Sequence, residues 1–155
     1  MDNIPPPVRS RVMGQIRSRG NRTTEIALIG VFRQHAITGW RRGVPLIGKP
    51  DFVFPICRVV VFVDGCFWHG CRSHCRTPHT RRKYWTRKVR LNQERDTEVT
   101  RMLRTSGWSV FRFWEHDVKA GCKTHGFKRM KTIIQQSAFL VRDTRGGSRA
   151  DEPRR

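Results

Sequence analysis

Two acidic residues and a histidine stand at the ends of the most apolar segments of this chain. Asp51 opens a short apolar stretch after a Gly-Lys-Pro turn, whereas Asp64 and His69 follow the β-branched run at 59–63. Loops at the ends of rigid strands often carry catalytic groups. A fixed carboxylate can hold a hard divalent cation beside a phosphate, and an imidazole can accept a proton from water near neutral pH. The pattern favours a metal-assisted hydrolytic site, although Asp51 as a turn cap and His69 as a metal ligand are the competing interpretations.

A second group of reactive side chains overlaps the first. Cys66, Cys71 and Cys75 lie within ten residues, beside His69, His74 and His79. The chain has five cysteines, an odd number that argues against a disulfide framework when no export signal is recognised. Metal ligation is the better interpretation, and the two remaining cysteines, Cys57 and Cys122, are interpreted as ordinary thiols.

The elements that must position these groups are predicted from apolar periodicity and from helix caps and stops. The order is helix, helix, strand, strand, helix, strand, helix, which indicates an α/β fold with a small mixed sheet covered by helices. The predicted segments are an extended arm at 1–9, helices at 10–18 and from Asn21 or Thr23 to Gln34, strands at 51–54 and 59–63, a helix at 83–105, a strand at 108–114, a helix at 127–141 and a basic disordered tail at 142–155. Residues 10–141 are predicted to form one domain.

The long predicted helix carries a mixed inner stripe. Its members recur every three or four residues: Trp85, Val89, Asn92, Asp96, Val99 and Leu103. Asn92 and Asp96 are polar, so they either find backbone partners or face a site, because an unpaired buried polar group is costly. Glu25, in the first turn of the second helix, either interacts with the helix dipole or acts in catalysis.

The charge of the chain identifies the class of its partner. Lys and Arg number 32 against 12 Asp and Glu, which gives a formal charge of +20. Such a chain binds polyanions through the release of counterions, as ribosomal, architectural and DNA-processing proteins all do. The absence of a long apolar run predicts a soluble, cytoplasmic and nucleoid-associated protein.

Several blocks of residues together resemble the very short patch repair (Vsr) DNA mismatch endonuclease family, over residues 8–120. They are Gly48-Lys49-Pro50-Asp51, Val61-Phe62-Val63-Asp64-Gly65-Cys66-Phe67-Trp68-His69, Tyr84-Trp85 with Lys88, Asn92, Arg95-Asp96, Gly107-Trp108, Arg112 and Trp114-Glu115-His116. The resemblance implies a restriction-endonuclease-like fold, a T:G-mismatched duplex as substrate and a magnesium-dependent nick in the strand that carries the mispaired T. It also implies a monomer, with a functional link to a cytosine-5 DNA methyltransferase.

The same resemblance implies roles for individual residues. Asp51 would bind magnesium, His69 would activate water, Asp96 would orient or tune His69, and Glu25 would assist. In place of Asp64 some family members have histidine, so Asp64 is expected either to add a metal ligand or to pair with His69.

A structural zinc and a set of DNA contacts are also implied by the resemblance. The expected zinc ligands are Cys66, Cys71, His116 and His74, with Cys75 as the alternative to His74. The expected DNA-contacting residues are Met13, Phe67, Trp68, Asn92 and Arg95, of which the first three would wedge into the duplex. The rival hypotheses are a nicking or restriction enzyme that reads intact sites, and a non-catalytic zinc-containing nucleic-acid-binding protein.

Overall fold

The computed structural model describes residues 22–146, with side chains described over residues 24–139. Within this part the chain forms four α-helices and three strands. In chain order they are α1 (Ala27–Gln34), β1 (Phe52–Phe54), β2 (Val59–Asp64), α2 (Arg82–Thr105), β3 (Ser109–Trp114), α3 (Glu115–Lys119) and α4 (His125–Gly146). A π-helical turn, Arg22–Ile26, leads directly into α1.

The three strands form one mixed sheet in the order β1-β2-β3, which confirms the predicted α/β layout. β1 runs antiparallel to β2, and β3 runs parallel to it. Because Phe52 pairs with Val61, the start of β1 lies beside the end of β2. The parallel pairing of Asp64 with Trp114 brings the end of β3 to the same edge of the sheet. Asp51, Asp64 and the loop that follows Asp64 therefore lie at one edge of the sheet.

β2 is buried on both faces, as a continuous β-branched run predicts. Val59 and Val61 belong to one buried cluster with residues of α1 and α4, such as Phe32 and Met130. Val60 and Phe62, which alternate with them, belong to a second cluster that includes Leu103 of α2. The sheet is thus held between helices on both sides, and its central strand provides a rigid base for the loop at its end.

Helix α2 shows the predicted stripe. All six of its members are at least partly buried, and between residues 84 and 103 only Thr100 shares that property with them. The helix lies close to the loops at the sheet edge. A Cβ on Gly70 would come 2.7 Å from Val89 Cγ1 and 2.5 Å from the Gln93 amide nitrogen. Gly70 also has φ 69°, so both space and backbone geometry favour glycine there.

Three sequence expectations differ from the structure or fall outside it. The short helix α3 was not predicted, since five residues are too few to show periodicity. Helix α4 continues to Gly146, five residues beyond the predicted boundary at 141, so the first part of the predicted tail is helical. The arm at 1–9, the helix at 10–18 and Met13 lie outside the described residues, as does 147–155. None of the described helices is long and apolar enough to cross a bilayer.

Candidate active site

The five residues predicted to be catalytic line one open cleft of about 970 Å³ at the sheet edge. They come from five segments: Glu25 from the π-helical turn, Asp51 from the position just before β1, Asp64 from the end of β2, His69 from the following loop and Asp96 from α2. Four carboxylates around one imidazole are arranged to hold a cation and to transfer a proton.

The surroundings of Asp51 disfavour the charged form of its carboxyl group. Its Oδ2 accepts a hydrogen bond of 2.7 Å from the backbone N–H of Val63 in β2. Burial raises the pKa of Asp51 from 3.8 to about 6, against the lowering effect of the Val63 bond, and the nearby charges of Glu25 and Asp64 raise it further. A divalent cation would relieve this crowding of negative charge, so the observed environment fits a metal ligand.

His69 is oriented by a carboxylate. Its Nδ1 makes a short hydrogen bond with Asp96 Oδ2, and Asp64 Oδ1 lies 3.6 Å from the same nitrogen. Burial by itself would raise the pKa of Asp96, but the bond to His69 and the charges of Arg112 and Arg95 hold it below its usual value. Asp96 is therefore a charged acceptor for Nδ1, which leaves Nε2 as the ring nitrogen available for a proton from water.

Asp64 is paired chiefly with Arg112, a residue to which sequence analysis gave no role. Arg112 Nε and Nη2 donate to the two oxygens of Asp64 at 2.7 and 2.5 Å, and Nη2 also lies 3.1 Å from Asp96 Oδ1. The guanidinium stands over the Phe62 ring at 4.7 Å. This fork-like pairing is geometrically specific, and it ties together the two carboxylates that face His69.

Glu25 is buried, with 4% exposure, and it forms an ion pair with Arg42. Glu25 lies in a π-helical turn, and such turns are frequent at functional sites. Its side chain lines the same cleft as Asp51 and does not lie on the outer surface of the helix.

The loop between β2 and α2 is held by amides of the helix. Asn92 Nδ2 donates to the Trp68 carbonyl at 2.8 Å, and Gln93 Nε2 donates to the His69 carbonyl at 3.1 Å. Asn92, expected to contact DNA, thus supports the loop. Arg95, expected to have the same role, is exposed and lines the cleft 3.6 Å from Asp96.

The aromatic residues of this loop form a half-buried cluster. Phe67 lies edge-on to Trp68 and Trp85, with ring centroids 5.1 and 5.3 Å apart, and Trp68 lies 6.1 Å from Trp85. The cluster is separate from the two buried cores of the sheet. The predicted wedging of Phe67 and Trp68 into DNA remains a prediction.

A second group of ligands lies next to the cleft. The ligand atoms of Cys66, Cys71, His74 and His116 all lie within 4.8 Å of one another. Cys66 Sγ lies 3.2 Å from His116 Nδ1, and Cys71 Sγ lies 3.5 Å from His74 Nδ1 and 3.7 Å from His116 Nδ1. The thiol of Cys75 donates instead to the Phe67 carbonyl at 3.5 Å. The group could hold a metal ion, and it includes His74 rather than Cys75.

The parallel pairing of β2 with β3 explains how distant residues meet in this group. Cys66 and His116 each stand two residues beyond the paired positions Asp64 and Trp114. The short helix α3 carries His116, while hydrogen bonds from Cys71 N to Cys66 O and from Cys75 N to Cys71 O wind the loop tightly. The group therefore connects the end of β3 to the loop that carries His69.

Arg112 and Lys49 also line the cleft, and the sequence gives a signal for only one of them. An arginine inside the aromatic strand Ser109–Trp114 would be expected to need a buried acidic partner, which could have pointed to Asp64. Lys49 precedes Pro50 in a turn, where lysine is unremarkable in sequence. Its place in the cleft became evident from the fold.

Comparisons with known proteins find several similar sequences. A family model described as DNA mismatch endonuclease Vsr matches residues 1–77. Type II nicking enzyme V.NmeDIP of Neisseria meningitidis serogroup C is 38% identical over 151 residues, covering 96% of each chain. Type II nicking enzyme V.NaeI of Lentzea aerocolonigenes is 52% identical over 69 residues, which are 44% of this chain and 42% of that protein. DNA mismatch endonuclease Vsr of Escherichia coli K12 is 42% identical over 73 residues, which are 45% of this chain and 46% of that protein.

V.NmeDIP, a relative that aligns along nearly the whole chain, is a nicking enzyme, and the family model is that of an endonuclease, so the class of this protein is DNA endonuclease. The chain belongs to the Vsr DNA mismatch endonuclease family. The predicted family and the predicted class of enzyme are thereby confirmed.

Proposed function

We propose that this protein nicks the strand carrying the mispaired T of a T:G mismatch, by magnesium-dependent hydrolysis of a phosphodiester bond. The proposal rests on one observation. Asp51, whose pKa is raised, lines the same cleft as His69, and the His69 imidazole is hydrogen-bonded to Asp96. The family membership supplies the substrate class, and the net charge of +20 suits a DNA partner.

The residues of the cleft divide the chemistry between them. Asp51 would hold the magnesium ion, with Glu25 nearby. When bound, such an ion polarises the phosphate and stabilises charge on the leaving oxygen. His69 Nε2 takes the proton from the attacking water, whose oxygen bonds to phosphorus as the bond from phosphorus to the 3′ oxygen breaks. The leaving oxygen then takes up a proton, so the products are a 3′-hydroxyl and a 5′-phosphate.

Asp96 and Asp64 act on this step through other residues. Asp96 fixes the orientation of His69 by accepting from Nδ1, and it stabilises the ring once protonated, as carboxylates do in catalytic triads. Asp64 shares Arg112 with Asp96, so we assign it to positioning. With its two oxygens paired to a guanidinium, Asp64 is less available to a metal ion than Asp51 is.

We assign a structural zinc to Cys66, Cys71, His74 and His116. Tetrahedral zinc places a thiolate and an imidazole ligand about 3.6 Å apart, and the three sulfur–nitrogen separations in this group are 3.2, 3.5 and 3.7 Å. Zinc would fix the loop that carries His69 to the end of β3. The mixed sheet between helices is compatible with the restriction-endonuclease-like fold that family membership implies.

Recognition of the mismatch is assigned to the aromatic cluster. Phe67 and Trp68 stand three and four residues after Asp64, the last residue of the strand that leads into the cleft, so a base step opened by these rings would lie close to the scissile phosphate. Unstacking costs least at a mispair, and insertion therefore discriminates in favour of mismatched DNA. A cytosine-5 methyltransferase, whose product deaminates to thymine opposite guanine, is the proposed functional partner.

The test uses end-labelled duplexes that differ at one base pair, T:G or C:G, within a library of flanking sequences. We expect nicking of the T strand at T:G only, with magnesium and not with EDTA. Binding of the T:G duplex without any nicking would refute the assignment of an enzymatic function to this cleft.

A second candidate function has specific support. V.NmeDIP and V.NaeI are type II nicking enzymes, which favours nicking of an intact recognition site by the same chemistry. Equal nicking rates on the T:G and C:G duplexes of one flanking sequence would establish this alternative and remove the mismatch assignment.

A further inference from the structure

Lys49 lies in the cleft two residues before Asp51, and the chemistry above gives it no task. Its side chain is exposed, so burial in the core does not explain its position. The backbone around Lys49 fixes its place, and the charges across the cleft indicate a function.

The turn that carries Lys49 is held in an unusual conformation. Lys49 has φ 52° and Gly48 has φ 74°, although residues with a Cβ rarely adopt the left-handed region. Lys49 N donates to the Leu46 carbonyl at 3.0 Å, and Pro50 is buried. A Cβ on Gly48 would come 2.2 Å from Val99 Cγ1, so the turn packs against α2. The turn therefore holds the backbone of Lys49 in a fixed place at the cleft.

The charge pattern of the cleft separates Lys49 from its neighbours. Three arginines line the same cleft, and each lies within ion-pair distance of a carboxylate: Arg42 of Glu25, Arg95 of Asp96, and Arg112 of both Asp64 and Asp96. Among the side chains that the structure describes, the ammonium group of Lys49 pairs with none. Its charge is therefore available to an anion that enters the cleft.

We propose that Lys49 contacts a non-bridging oxygen of the phosphate that is cleaved and stabilises the charge that develops there during hydrolysis. The proposal rests on the phosphodiesterase function proposed above. A lysine ammonium is a compact point charge that binds phosphate oxygens well. A cation fixed beside the reacting phosphate acts mainly in the transition state, because it needs no rearrangement when the charge develops.

The test removes the charge and keeps the turn. Asparagine tolerates left-handed backbone, so K49N preserves the conformation, whereas K49R keeps a cation. K128N, on the exposed side of α4 and outside the cleft, is the matched control. Single-turnover nicking is measured at saturating protein with magnesium, and DNA binding is measured without magnesium. The substrate is whichever of the T:G and C:G duplexes the parent protein nicks faster, so that a wrong mismatch assignment does not affect the result for Lys49.

We expect K49N to nick about 100-fold more slowly than the parent, as loss of one fixed transition-state contact does in other enzymes. Its Kd and its thermal midpoint should stay close to the parental values, K49R should recover at least a tenth of the parental rate, and K128N should be unchanged. A K49N rate within threefold of the parent would overturn the proposal. So would a loss that appears only in Kd, or a K49R rate as low as that of K49N.

Discussion

Replacing Asp51 by asparagine should stabilise the metal-free protein while it abolishes nicking. Asparagine can still accept the hydrogen bond from Val63, but it carries no charge into a buried place beside Glu25 and Asp64. The pKa of Asp51 rises from 3.8 to about 6 on folding, chiefly because of burial. At about 1.4 kcal/mol for each pH unit, the charged carboxylate then costs the fold about 3 kcal/mol.

The sign and the pH range follow from the same pKa values. Below pH 3.8 the carboxyl group is protonated in both the folded and the unfolded chain, so it costs nothing. As the pH rises to about 6, Asp51 loses its proton in the unfolded chain before it does so in the folded protein, so the unfolded state is favoured. The D51N advantage should therefore grow between pH 4 and 6 and stay constant above that range.

The assay is thermal unfolding in EDTA, from pH 4.5 to 8, with E94Q as the matched control because Glu94 is exposed on α2. For a chain of this size, 3 kcal/mol corresponds to a rise of about 6 to 12 °C in Tm. Magnesium should raise the Tm of the parent protein and leave that of D51N unchanged. A D51N protein no more stable than the parent at pH 7, or an advantage that does not depend on pH, would refute the reasoning.

Two further predictions concern the metal group and the Arg112 pair. H74A should lose bound zinc, whereas C75S should keep it, because the Cys75 thiol donates a hydrogen bond to the backbone instead. The zinc content of each variant is measured by mass spectrometry. Equal zinc loss in both variants would contradict the assignment. R112M should lower the free energy of unfolding, measured in urea, by about 3 to 5 kcal/mol, because it leaves the Asp64 carboxylate buried without its partner. The R112M D64N double variant should recover part of that loss. If the two single changes simply add, the pair is not coupled.

Much of the site could be predicted from sequence because it depends on strand ends. Asp51 stands at the start of one apolar strand and Asp64 at the end of the next, and antiparallel neighbours bring such positions together. The stripe on α2 placed Asp96 on the inner face of the helix, because the 3.6-residue period fixes which residues share a face, and the family resemblance then favoured a role for it in the site. These three features needed only local patterns and a short connection between strands.

The remaining features depend on register and backbone conformation. The pairing of Asp64 with Arg112 needs the parallel alignment of two strands separated by the whole of α2, which no local pattern specifies. The choice between the adjacent residues His74 and Cys75 depends on the winding of one loop. The position of Lys49 in the cleft depends on two successive residues with positive φ.

The central claim, that Asp51 and His69 act together on a DNA phosphate, is tested most directly by single-turnover nicking of a T:G duplex by D51A and H69A, with E94A as the control. Each variant should lose at least about 100-fold in rate and should still bind the duplex, while E94A matches the parent. Full magnesium-dependent nicking by D51A or H69A would contradict the account.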